Sequence, residues 1–135
     1  MTYSLNTIVL EPLSKNKPKN AVILCHGYGG DGNDISILAN YWRVHLPDTI
    51  FICPDAPEKC AASPSGFQWF DLMDQTPEQV LAKSLVAENK LNKLIDEVKT
   101  KNNLLNFHHE VLLEHHKAFL GLFLESGSKT IVFNE

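Results

Sequence analysis

The chain has no surplus of positive charge, little cysteine and no long apolar run, and each shortage removes a class of function. Its 135 residues carry a net charge of −4 at pH 7, with lysines and acids mixed along the sequence and no basic block. That balance argues against nucleic acid or an anionic membrane surface as the main partner. No apolar stretch approaches the roughly 20 residues of a membrane span. The start, MTYSLNTIVLEPL, lacks the basic opening and apolar stretch of a secretory leader. The three cysteines, Cys25, Cys53 and Cys60, are odd in number and show no C-x-x-C spacing. Buried free thiols in a reducing cytoplasm are therefore expected, and a cytoplasmic location with them. Internal repeats and low-complexity segments are absent. A hydrophobic content of 44% over this length suffices for one domain with a core of its own.

Punctuation organises the rest. Asn6 to Leu10 reads as a short strand ending before Pro12, and Lys15 to Asn20 as a polar connection. Ala21 to Cys25 is a continuous apolar run, the pattern of a strand covered on both faces. A glycine loop follows, His26 to Gly32. Ile35, Leu38, Ala39 and Trp42 then recur at helical spacing, with Asp34 as an N-terminal charge and Pro47 as the stop. Thr49 to Cys53 is a second apolar run ended by Pro54. Strand, helix, strand in that order predicts a parallel βαβ unit. Beyond it lie a loop rich in Pro, Ser and Ala from Ala56 to Gly66 and an aromatic segment, Gly66 to Asp71. Thr76-Pro77-Glu78-Gln79 is a helix start: Thr caps, Pro sits in the first turn, and Gln can reach back. Leu81, Leu85, Leu91, Ile95 and Val98 supply its predicted apolar face down to about Lys99. From Leu104 the character changes to a loose helical stripe rich in histidine, and Thr130 to Phe133 reads as a short final strand.

A buried strand running into a His-Gly loop is the arrangement with which serine hydrolases build half of an oxyanion hole. Three ordered segments carry a wider likeness: AVILCHGYGGDGND, FICPDAPEKCAASPSGFQWFDL and TPEQVLAKSLVAENKLNKLIDEV. The first is similar to a strand followed by an L-H-G-x-G loop, the second to a P-x-A-P segment ending in W-F-D. The third sits where a helix precedes the nucleophile strand. Over roughly Ala21 to Asn103 the chain resembles the phospholipase/carboxylesterase family of α/β-hydrolases, which includes the acyl-protein thioesterases. The resemblance implies an α/β fold: a mostly parallel sheet with flanking helices, here with the C-terminal part of the α/β-hydrolase fold missing. It divides the chain into 1–103, the N-terminal part of such a domain, and 104–135, a divergent, helical tail. It implies a Ser-Asp-His triad, no cofactor, no metal, and hydrolysis of carboxyl esters or thioesters carrying an acyl group. His26, Gly27, Tyr28 and Gly29 match the oxyanion-hole loop, with the backbone N–H of Tyr28 as the donor. Trp69 and Phe70 match positions that line or support the acyl pocket. His26 belongs to the loop and is not the general base.

The departure lies at the nucleophile. The family's next element is a strand followed by G-x-S-x-G, a strained turn that presents the serine. No G-x-S-x-G occurs in this sequence. The chain is therefore expected to be inactive alone, and to act as a non-catalytic interaction fragment or as one half of a split hydrolase completed by a separately encoded C-terminal half. Uncovered sheet and apolar surface predict marginal stability or self-association. The nucleophile is due near Glu114 to Ala118, Glu-His-His-Lys-Ala. With the codons GAG CAT CAC AAG GCN, and a Leu113 codon ending in G, the neighbouring frame reads Gly-Ala-Ser-Gln-Gly. We expect that the chain leaves its ancestral frame near Asn103 and terminates early; different third bases in the gene would rule this out.

Other readings compete for the same residues. Gly27-Tyr28-Gly29-Gly30-Asp31-Gly32 also fits G-x-G-x-x-G after a strand, the fingerprint of a nucleotide-binding module. Against it, Asp31 would face a pyrophosphate, and Asp55 comes late and follows a proline. A tight turn without ligand fits as well. His108-His109-Glu110 and Glu114-His115-His116 invite a metal, but Leu113 stands where a zinc helix needs its second histidine. A solvated helical face is the better reading there. Ser126-Gly127-Ser128 precedes its strand instead of following one, and Gly127 to Thr130 matches a phosphate loop only with its first glycine out of place. Trp69 and Phe70 suit plain core as well as a pocket wall.

Overall fold

Two apolar runs pair side by side to form the centre of the molecule. The computed structural model describes residues 2–73 and 75–104 in full and 129–134 as backbone. Strand β2, Asn20–Cys25, lies parallel to β3, Thr49–Pro54, with Ala21 opposite Ile50 and Ile23 opposite Ile52. Helix α1, Gly32–Trp42, makes the crossover between them. Strand β1, Thr7–Leu10, adds antiparallel to β3, and β6, Lys129–Asn134, adds antiparallel to β2. The sheet order is β1-β3-β2-β6. A two-stranded ribbon of β4, Glu58–Lys59, and β5, Phe67–Gln68, stands apart, and helix α2 spans Pro77–Lys101.

The α/β class stands, but the balance of pairing differs from expectation. Within the four-stranded sheet one pairing is parallel and two are antiparallel. A parallel pair needs a crossover element. The β2–β3 step has one in α1, and the outer strands β1 and β6 join the sheet in the opposite sense.

Alternation within each run sorts the core. Ala21, Ile23 and Cys25 with Ile50 and Ile52 face α2, and pack on Ala87, Leu91, Leu94, Ile95 and Val98. Val22, Leu24, Phe51 and Cys53 face the other way, toward Ala39 and its helix. Both faces are thus covered, which is what an unbroken apolar strand requires.

The helices begin as their caps dictate. Asp31 caps α1 by accepting the Asp34 N–H at 2.7 Å. Thr76 and Gln79 form a reciprocal capping box on α2, with Pro77 in its first turn. Helix α1 stops at Trp42, earlier than Pro47 suggested. The chain goes on as a turn in which the His45 and Leu46 N–H groups both reach the Trp42 carbonyl, and Pro47 disfavours helical geometry at Leu46. Helix α2 closes on Asn103, whose φ of 54° is left-handed, while the Leu104 N–H returns 2.8 Å to the Lys99 carbonyl. Its inner face corrects the predicted one. Leu81 and Leu85 are exposed, and Ser84 and Ala87 take the inward positions above Leu91.

Candidate functional site

The glycine turn leaves the carboxyl end of β2, where open α/β sheets bind ligands. His26 is buried and fixes the turn from both sides of its ring. Its Nε2 accepts the Ala56 N–H at 2.9 Å, so the proton sits on Nδ1, which lies 2.7 Å from the Gly27 carbonyl and donates to it. The ring is therefore a neutral imidazole serving as a brace. Trp69 donates its indole N–H to the His26 carbonyl at 2.9 Å, and its ring lies tilted beside the imidazole, centroids 5.8 Å apart.

Beyond His26 the turn is strapped to β5. Gly29 donates to the Phe67 carbonyl, Phe67 donates back to the Gly30 carbonyl, both at 2.9 Å, and Gly30 donates to the Gly27 carbonyl at 3.1 Å. Gly29 has φ +84°, a conformation side chains rarely adopt, and a methyl group on Gly66 would strike the Gly29 carbonyl. The Gly29 and Gly30 N–H groups are thus consumed internally. The Tyr28 N–H between them and the strand finds no acceptor among the described residues.

Helix α1 opens just past the turn, but two of its first N–H groups, those of Gly32 and Asp34, are occupied. Asp31 takes Asp34, and Asp55 Oδ1 takes the Gly32 N–H at 2.8 Å. A methyl on Gly32 would collide with the Cys53 carbonyl, so this glycine serves close packing of helix on strand. Two carboxylates at the helix start oppose a pyrophosphate there.

The predicted pocket residues meet the loop. Trp69 and Phe70 are buried, and with Tyr28 and Leu72 they line a hollow of about 10 Å³, room for about one water. In this form they act as core and as the wall beside Tyr28. The Tyr28 hydroxyl is held above the usual phenol range, first by loss of hydration and then by its bond to Cys60 and the charge of Asp71. All three cysteines are free and buried. Burial pushes the Cys53 thiol up to about 12, and burial plus Cys53 itself raises Cys25 further.

Three participants escaped the sequence reading: Gly66, Phe67 through its backbone, and Asp55 as an anchor that also accepts the Asn6 amide at 2.6 Å. A glycine closing a long loop before an aromatic strand was the one visible signal. The histidines from His108 to His116 and the Ser126–Ser128 segment lie outside the described residues, as do Glu114 to Ala118, where the nucleophile is due. Among the described residues no cluster of His, Cys, Asp and Glu could hold a metal ion, and no helix is long and apolar enough to cross a membrane.

A family model described as phospholipase/carboxylesterase matches residues 8–114. Among solved structures, the crystal structure of esterase PE8 superposes with a TM-score of 0.66 at 34% sequence identity, over 73% of this chain and 46% of that one. This chain thus spans about half the length of the esterase it matches.

Proposed function

The chain belongs to the phospholipase/carboxylesterase family, and from that premise we propose that the turn His26-Gly27-Tyr28-Gly29 is the oxyanion-binding part of a site for hydrolysis of carboxyl esters or thioesters. The observation that carries this reading is the Tyr28 N–H. It is left open beside the Gly29 and Gly30 N–H groups, both of which are engaged, in a turn whose shape is held by His26, Trp69 and Phe67. When a nucleophile adds to an acyl carbonyl carbon, negative charge gathers on the oxygen. A donor fixed in advance stabilises that charge, and losing one such donor typically costs about 2.7–4 kcal/mol of barrier. Trp69 and Phe70, beside Tyr28, wall the acyl side.

Binding the charge is half of the chemistry. The other half is an activated nucleophile, normally a serine on a strained turn relayed by histidine and aspartate. The sequence holds no G-x-S-x-G. These residues alone therefore do not turn over esters, and hydrolysis requires a nucleophile that they do not supply. The carboxylates at the start of α1 weigh against the nucleotide-binding alternative.

A fluorophosphonate probe separates these outcomes. No serine of the isolated chain should label. Labelling that appears only after a segment carrying the downstream part of an esterase fold is added would support completion of a split site. Labelling of this chain alone would overturn the reading.

A further inference from the structure

We propose that a groove between the N-terminal segment, the loop after β3 and helix α2 binds a small organic carboxylate with an apolar body. The groove has a volume of about 470 Å³, within the range of small-molecule sites. Leu5, Ala56 and Phe67 give it an apolar floor, and Lys90 and Lys93 rise from one face of α2 at its rim. It opens past the carboxyl end of β3, on the α2 side of the sheet, and does not involve the Tyr28 hollow.

The charges around it are unevenly satisfied. Asp55 accepts from Gly32 and Asn6, Glu97 accepts the Ser4 N–H at 2.8 and 3.2 Å, and Glu58 accepts the Gln68 amide. Each carboxylate near the groove thus has donors of its own. The cations do not have matching acids. Lys90 and Lys93 form no ion pair among the described residues, and Lys59 lies over the Phe67 ring, 5.2 Å from its centroid. Two like charges three residues apart on a helix repel each other, and an anion set between them relieves that repulsion. Ammonium groups attract an anionic head as point charges, and the apolar lining of Leu5 and Phe67 beside them favours an organic carboxylate over a bare inorganic anion.

This inference is independent of hydrolysis, and its test needs no turnover. The full chain, labelled with nitrogen-15, is titrated with hexanoate and followed by amide chemical shifts. Saturable shifts are expected at Leu5, Ala56, Phe67 and Lys90, with a Kd on the order of 1 mM. Hexan-1-ol and inorganic phosphate, each holding one half of the chemistry, should bind at least about tenfold more weakly. Lys90→Gln with Lys93→Gln should weaken hexanoate by about tenfold, while Lys17→Gln on the far loop leaves it unchanged. Hexanoate that fails to saturate, hexanol or phosphate binding equally well, or an undiminished affinity in the double variant would overturn the proposal.

Discussion

His26 uses both ring nitrogens to join segments distant in sequence, so its loss strands the buried Ala56 N–H. His26→Ala is expected to lower stability by about 1–3 kcal/mol for the unmet donor, and more if the turn collapses, as read from urea unfolding. The cysteines make a pH prediction. The Cys53 thiol rises from 9.0 to about 12 on folding, and Cys25 rises too. Above about pH 9 the unfolded chain releases these protons while the folded chain keeps them. Their contribution is therefore complete below pH 9 and drains away as pH climbs toward 12, by up to about 1.4 kcal/mol per pH unit for each group. Urea midpoints should fall between pH 8.5 and 10.5, and fall less steeply when both are replaced by alanine. A parallel decline in the double variant would show that the thiols are not its source.

At the scale of elements, α2 offers an internal control. Leu91 is fully buried and Leu85 is exposed. Leu91→Ala should cost about 2–5 kcal/mol, whereas Leu85→Ala should fall within about 0.5 kcal/mol of zero in the same chemical-denaturation series. The sequence pattern alone placed both leucines on one face, because hydrophobicity at helical spacing does not fix which side of a helix turns inward; here the buried positions are Ser84, Ala87 and Leu91. The central strands, the crossover helix and the capping box were all readable, since each depends on neighbours within a few residues. The sense of the outer strands was not, because β1 and β6 take theirs from partners far along the chain. The same holds at the site: the His-Gly turn is a local pattern, but its dependence on Ala56, Gly66 and Phe67 is a matter of tertiary contact.

Several large apolar side chains are exposed among the described residues. Ile37, Tyr41 and Val44 lie open at and just beyond α1, and Leu81, Leu85 and Val86 on α2. Self-association is the expected outcome: sedimentation velocity should show weight-average mass rising with concentration, and Ile37→Lys with Val44→Lys should reduce that rise. A sharp monomer boundary at all concentrations would count against it. The strap between Gly29 and Phe67, with Gly66 pressed on the Gly29 carbonyl, has a consequence for any attempt to exchange parts with a relative. The first glycine turn and the stretch from Cys60 to Phe67 behave as a single joint, so a chimera that imports either one without its mate should misalign the Tyr28 amide even though every residue of the grafted piece is correct.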